Sequence, residues 1–218
     1  MKSVHLLLIL AIAAPFSIYG VYRIISEKHV SLPVYANLQQ RSVKSQQYWN
    51  EASVLVDHDG LRNAINDNGK IKVVNFFFAN CPVICPAMTR NLQNLQASFD
   101  AEEIELISFT IDPARDSISA LQAFAKRSNL NTTNWRLITG NKKTIYGLAR
   151  NNFTILAGDG DGGENDFIHS EQVVLIDAKN NIRGYYSGIK SSEISQLAKD
   201  IKKLQNEKQE STSAWLSF

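Results

Sequence analysis

Val73-Val74-Asn75-Phe76-Phe77-Phe78 runs straight into Ala79-Asn80-Cys81-Pro82-Val83-Ile84-Cys85-Pro86. The first half is short, apolar and rich in β-branched and aromatic residues, the pattern of a strand buried on both faces. Pro86 suits the first turn of a helix. Leu92, Leu95 and Phe99 then recur at helical spacing, which predicts a helix over Ala87 to Phe99. The two cysteines therefore sit where a buried strand hands over to a helix. Their spacing is i and i+4, wider than the i and i+3 of thioredoxin-type redox motifs. A helix N-terminus favours thiolate over thiol, because its free N–H groups and dipole stabilise negative charge. Two adjacent thiolates repel. A soft cation relieves that repulsion and a disulfide removes it, so the pair reads as a metal site when reduced and a disulfide when oxidised. The plain alternative is an inert or purely structural pair.

Working outward, Ser53 to Val56 reads as a short strand followed by an Asp57-His58-Asp59-Gly60 turn, with His58 in solvent. Glu105 to Ile111 is a second buried strand. Asp116 or Ser117 caps the next helix, which carries Ile118, Leu121, Phe124 and Ala125. Trp135 to Thr139 reads as strand and Asn141 to Arg150 as helix. Gln172 to Asp177 and Ile182 to Tyr186 form a hairpin. Ser191 or Ser192 opens a last amphipathic helix with Ile194, Leu197, Ile201 and Leu204. Alternating strands and helices that close on a hairpin and a helix give an α/β protein. A cysteine pair at a strand-to-helix corner points to the thioredoxin-like version, a central mixed β-sheet flanked by helices.

The chain has 218 residues, 44% hydrophobic and 20% charged, with a net charge of +2 and only two cysteines. This is enough chain for one domain with a real core. So small a positive excess makes no case for nucleic-acid binding, and two close cysteines make no disulfide scaffold. From Ser3 to Tyr22 there is no charged side chain. At helical rise that run spans about 30 Å, the thickness of a bilayer's hydrocarbon core. Residues 1–25 are therefore expected to be an N-terminal transmembrane helix, the alternative being a secretory signal. Residues 26–50 read as a tether, 51–205 as the main domain and 206–218 as a polar tail that frays. Either reading of the N-terminus puts the domain on the periplasmic or equivalent extracytoplasmic side.

Two sulfurs are an incomplete site for most metals. Of four histidines, His5 lies in the apolar segment, His29 in the tether and His58 in a turn. His169 follows the Gly/Asp-rich loop 158–166 and immediately precedes the hairpin. A lone histidine is more often no ligand, yet the start of that hairpin lies near the cysteine corner in a thioredoxin-like sheet. Two thiolates and an imidazole lean soft, which favours copper, Cu(I) or Cu(II), over zinc with its usual fourth protein ligand. Asp112, after the second buried strand, has two readings: a group that orients a ligand or the cysteine loop, or a turn aspartate before Pro113. The loop 158–166 lacks EF-hand spacing and reads as mobile.

In these features the chain resembles the Sco/SenC family of copper proteins. The resemblance covers roughly Val54 to Leu204. It rests on the strand and cysteine motif, Met88-Thr89 with Asn91-Leu92, Ser108-Phe109-Thr110-Ile111-Asp112-Pro113-Ala114-Arg115-Asp116, and His169 ahead of Val173-Val174-Leu175-Ile176-Asp177. Apolar Val83 and Ile84 stand where relatives often carry an acidic residue. The resemblance implies a membrane-anchored thioredoxin-like domain with Cys81, Cys85 and His169 as ligands to one copper ion. It implies delivery to the binuclear copper centre of cytochrome c oxidase. Partners would be the copper-accepting oxidase subunit, a copper donor and thiol reductants. The alternative is a thiol-disulfide oxidoreductase or redox sensor cycling Cys81 and Cys85. A peroxidase needs an activated thiolate in its own pocket, and the prolines after both cysteines argue against it.

Overall fold

The computed structural model describes residues 13–20, 31–38, 43–61, 68–81, 84–155 and 170–216, with side chains for all of these except 43–45 and 209–216. The chain divides into two compact units, Met1–Leu32 and Pro33–Phe218. In the first, residues 13–20 form helix α1, with Phe16, Ile18 and Tyr19 exposed. Most of the expected membrane-spanning segment lies outside the described residues. Among the described residues no helix is long and apolar enough to cross a membrane.

The second unit is a mixed α/β layer structure. Seven strands form one sheet: β1 (Ala36–Asn37), β2 (Val56–Asp57), β3 (Ile71–Phe77), β4 (Ile104–Thr110), β5 (Trp135–Thr139), β6 (Gln172–Ile176) and β7 (Asn181–Ser187). Their order is β1-β7-β6-β3-β4-β5-β2. β3, β4 and β5 run parallel, while β6 lies antiparallel to β3 and β7 to β6. The β7-β6-β3-β4 core, with a helix crossing from β3 to β4 and another closing the chain, is the thioredoxin-like arrangement. Every residue of β3 and β4 is buried, as their unbroken apolar runs require of central parallel strands.

The helices are α2 (Val43–Glu51), α3 (Ile84–Gln96), α4 (Ile118–Arg127), α5 (Lys142–Gly147) and α6 (Ser191–Leu216), with a π-turn over Leu148–Asn152. Val74, Phe76, Ile107 and Phe109 share a core with Tyr146, Leu148 and Phe153. Phe76 stacks on Phe109 at 5.4 Å, and Phe153 meets Phe76 edge-on at 5.8 Å. α3 packs against α6, with Leu92 and Leu95 buried on one and Leu197 and Ile201 on the other. Polar residues inside the sheet are satisfied. The Trp135 indole donates to Ser108 Oγ at 2.9 Å, and Ser108 donates to Asn75 Oδ1 at 2.6 Å.

Several expectations are corrected. Within the segment read as a tether, Ala36–Asn37 form a strand and Val43–Glu51 a helix. β1 pairs with β7, Leu38 is fully buried, and α2 packs Tyr48 and Trp49 on the core. Ser53 to Val56 is mainly a 3-10 turn over Ala52–Val54, with strand pairing only from Val56. His58 is buried rather than solvated. The pairing of β2 with β5 brings it inward, and its Nδ1 accepts a hydrogen bond from Leu137 N–H at 3.4 Å. The expected frayed tail is the end of α6, which continues to Leu216. Loop 158–166 lies outside the described residues.

α2 approaches α5 closely because Gly147 has no side chain. A Cβ there would stand 2.2 Å from the Tyr48 ring. Gly147→Ala should therefore lower stability by about 1–3 kcal/mol through overpacking, measured by denaturant unfolding.

Candidate metal centre

Cys81 follows the end of β3 and Cys85 lies in the first turn of α3, and both are free thiols. Phe78 O accepts from Cys81 N–H at 3.2 Å, which turns the chain out of the strand. The Cys81 sulfur then accepts from Cys85 N–H at 3.4 Å. This sulfur serves as a side-chain cap for one of the otherwise free N–H groups of α3. The i, i+4 spacing is thus the spacing of a capping contact, and it brings both cysteines to one helix end. Cys81 is half-buried, whereas Cys85 is only 3% exposed.

Burial reverses the charge state expected from the helix end. Removal from water, with the hydrogen bond to Cys81, pushes the Cys85 thiol up to about 12. The negative charge of Asp116 adds to that rise, while a backbone hydrogen bond at Phe78 opposes it. At neutral pH Cys85 holds its proton, and a metal ion that bound this sulfur would have to displace it.

Of the two candidate caps of α4, Ser117 takes the role, accepting from Ala120 N–H. Asp116 is 1% exposed and lies beneath the cysteine loop. Its Oδ2 accepts from Ala79 N–H at 2.9 Å and from the Thr110 hydroxyl. One carboxylate therefore joins the ends of β3 and β4 to the start of α4. Sequence reasoning missed this role, although the Thr110-to-Asp116 spacing after a buried strand was its one signal. The Asp112 carboxylate pairs at 3.4 Å with Arg115, which is largely exposed.

His169 lies outside the described residues, as do Pro82, Val83, His5 and His29. Among the described residues no three His, Cys, Asp or Glu side chains gather in a way that would hold a metal ion. The chain just after His169 is described, and it is tied to α3. Glu171 O accepts from Gly188 N–H at 2.7 Å. Gly188 O accepts from Asn91 of α3 at 2.9 Å, and a Cβ on Gly188 would stand 2.7 Å from Met88 Cγ. Met88 is one helical turn beyond Cys85. The segment entering β6 is thereby fastened to the helix that carries the second cysteine.

The raised Cys85 value sets a pH dependence. The folded chain keeps a proton that the unfolded chain releases above about pH 9. Stability of the reduced protein should fall as pH rises from 9 toward 12, by up to about 1.4 kcal/mol per pH unit. Cys85→Ala should flatten that fall between pH 9 and 10, as followed by urea unfolding at each pH. Asp116→Ala leaves the Ala79 N–H and Thr110 hydroxyl without their acceptor and should cost about 2–4 kcal/mol in the same assay.

The SCO1/SenC family profile matches residues 42–206. The SCO1 protein homolog of Bacillus subtilis (strain 168) is 30% identical over 137 residues, 62% of this chain and 70% of that protein. BsSco, described as a member of the Sco family of cytochrome c oxidase assembly proteins with a disulfide switch, superposes with a TM-score of 0.63 at 23% identity, covering 81% of this chain and 98% of that one. Yeast Sco1, crystallised with copper bound, shares the fold at a TM-score of 0.54 and 21% identity, covering 68% of this chain and 85% of that one. The matched region takes in strands β2 to β7, both cysteines and the segment leading into β6, and this chain belongs to the SCO1/SenC family.

Proposed function

We propose that this protein is a copper metallochaperone that holds one copper ion through Cys81, Cys85 and His169. It would pass that ion to the copper-accepting subunit of cytochrome c oxidase as the oxidase is assembled. The observation that carries the reading is the fastening of Glu171 and Gly188 to α3 at Met88 and Asn91. Residue 169 is two positions before that anchor, so a short chain path joins it to the helix end bearing both sulfurs. The copper-bound relative and the oxidase-assembly description of BsSco support the choice of cargo and destination. The donor set fits as well: two thiolates with one imidazole suit copper in either common oxidation state. A set of three protein ligands would leave one face of the ion open to an incoming ligand from the acceptor.

The uncharged stretch from Ser3 to Tyr22 supports an N-terminal membrane anchor, with the domain on the extracytoplasmic side. Asp116 would act from beneath the loop by fixing Ala79. The oxidoreductase reading draws less support, because the copper-bound relative favours a metal role for the pair.

Reduced full-length protein titrated with copper should bind one equivalent and release the Cys85 proton at pH 7. With Cu(II), a thiolate-to-copper charge-transfer band should appear. His169→Ala should weaken binding by about 10–100-fold while the dithiol still exchanges with a disulfide reagent. An oxidase-assembly assay that tolerates His169→Ala but fails with Cys81→Ser would overturn the chaperone reading.

A further inference from the structure

A groove of about 360 Å3 lies between α3 and α4, and both cysteines line it. Its other walls include Arg90 and Gln93 from α3 and Phe124 and Arg127 from α4. No carboxylate is among its lining residues. Arg127 is exposed but fixed. It donates to Ala79 O of the cysteine loop, and its guanidinium stands 5.2 Å from the centre of the Phe124 ring. Arg90 is exposed and has no ion-pair partner among the described residues. The groove thus presents two guanidinium groups, one of them preorganised, beside the sulfurs that would hold the cargo.

We infer that this groove docks an acidic segment of the copper-accepting protein, whose carboxylates engage Arg90 and Arg127. The identity of that partner rests on the copper-carrier reading, whereas the charge preference of the groove does not. Guanidinium groups pair with carboxylates bidentately. Arg127 is already held by Ala79 and Phe124, so little side-chain freedom is lost when it pairs. Such a surface raises the encounter rate and fixes the orientation of a partner more than it raises affinity. Here it would direct the partner's ligand toward the open side of the ion. Because Arg127 also holds the Ala79 carbonyl, an arriving carboxylate pulls on the loop that carries Cys81.

The test needs no copper. Reduced full-length protein in a neutral detergent is titrated with a fluorescent Gly/Ser decapeptide carrying four glutamates, and with its four-lysine counterpart. Amide chemical shifts identify where each peptide binds. The glutamate peptide should bind about tenfold more tightly at low salt, lose that advantage at high salt, and shift the amides of Thr89, Arg90, Phe124 and Arg127. Arg90→Glu should remove most of the preference. Lys202→Glu, the same charge change on an exposed position of α6, should keep it. Equal binding of the two peptides, an equal response of both variants, or shifts confined to other surfaces would overturn the inference. If wild-type protein takes up no copper yet keeps the peptide preference, the carrier reading fails and the acid-binding groove stands.

Discussion

A single buried carboxylate holds together the corner on which this domain's chemistry rests. Asp116 accepts from Ala79 N–H and the Thr110 hydroxyl, so the two central parallel strands and the start of α4 meet at one point. A carboxylate out of water is costly unless its oxygens find donors, and these two donors offset that cost. The loop above it inherits its position. Cys81 turns back to cap α3 with its own sulfur, and Cys85 is carried into the core. Burial, the neighbouring sulfur and the Asp116 charge all favour a protonated Cys85. Cys85 is therefore protonated at neutral pH, and a metal ion that bound its sulfur would have to displace that proton.

The sheet order extends this corner to a distant part of the chain. β6 inserts antiparallel beside β3, so the segment that enters β6 starts where β3 ends. Gly188, at the end of β7, fills the space between that segment and Met88. Close contact without a side chain is what lets the hairpin approach α3. The fold thus sets the helix end that carries Cys85 and the mouth of the β6–β7 hairpin on elements that share one core. α4 completes the surroundings, since Phe124 packs on Phe77 at 5.1 Å and Arg127 reaches the loop carbonyl.

How much of this was legible follows from how local each signal is. The runs Val73 to Phe78 and Glu105 to Ile111 carry their burial in composition, because a central parallel strand is apolar on both faces. The cysteine corner was readable for the same reason, as an apolar run ending in a polar, proline-marked loop. The hairpin over Asp177 to Asn181 was marked by turn residues, and Asp177 indeed gathers the turn's N–H groups. What escaped depends on partners far along the chain. His58 looks like a turn residue until β2 pairs with β5 and presents Leu137 N–H to it. α2 has a weak apolar pattern, and its place is set by Tyr48 against Gly147, about a hundred residues later. Asp116 read as a cap because Asp and Ser are both good caps, and nothing local says which of the two faces inward. The length of α6 was an oversight of propensity, since its Lys, Glu and Gln residues are good helix formers without an apolar stripe.

The central claim is that two sulfurs from the α3 corner and one imidazole from the entry to β6 meet on a single copper ion. X-ray absorption at the copper edge of the loaded, full-length protein tests this most directly. The account predicts a first shell of two sulfur scatterers and one nitrogen, with the outer-shell pattern of a single imidazole. A shell of sulfur alone, or one of nitrogen and oxygen without sulfur, would contradict it.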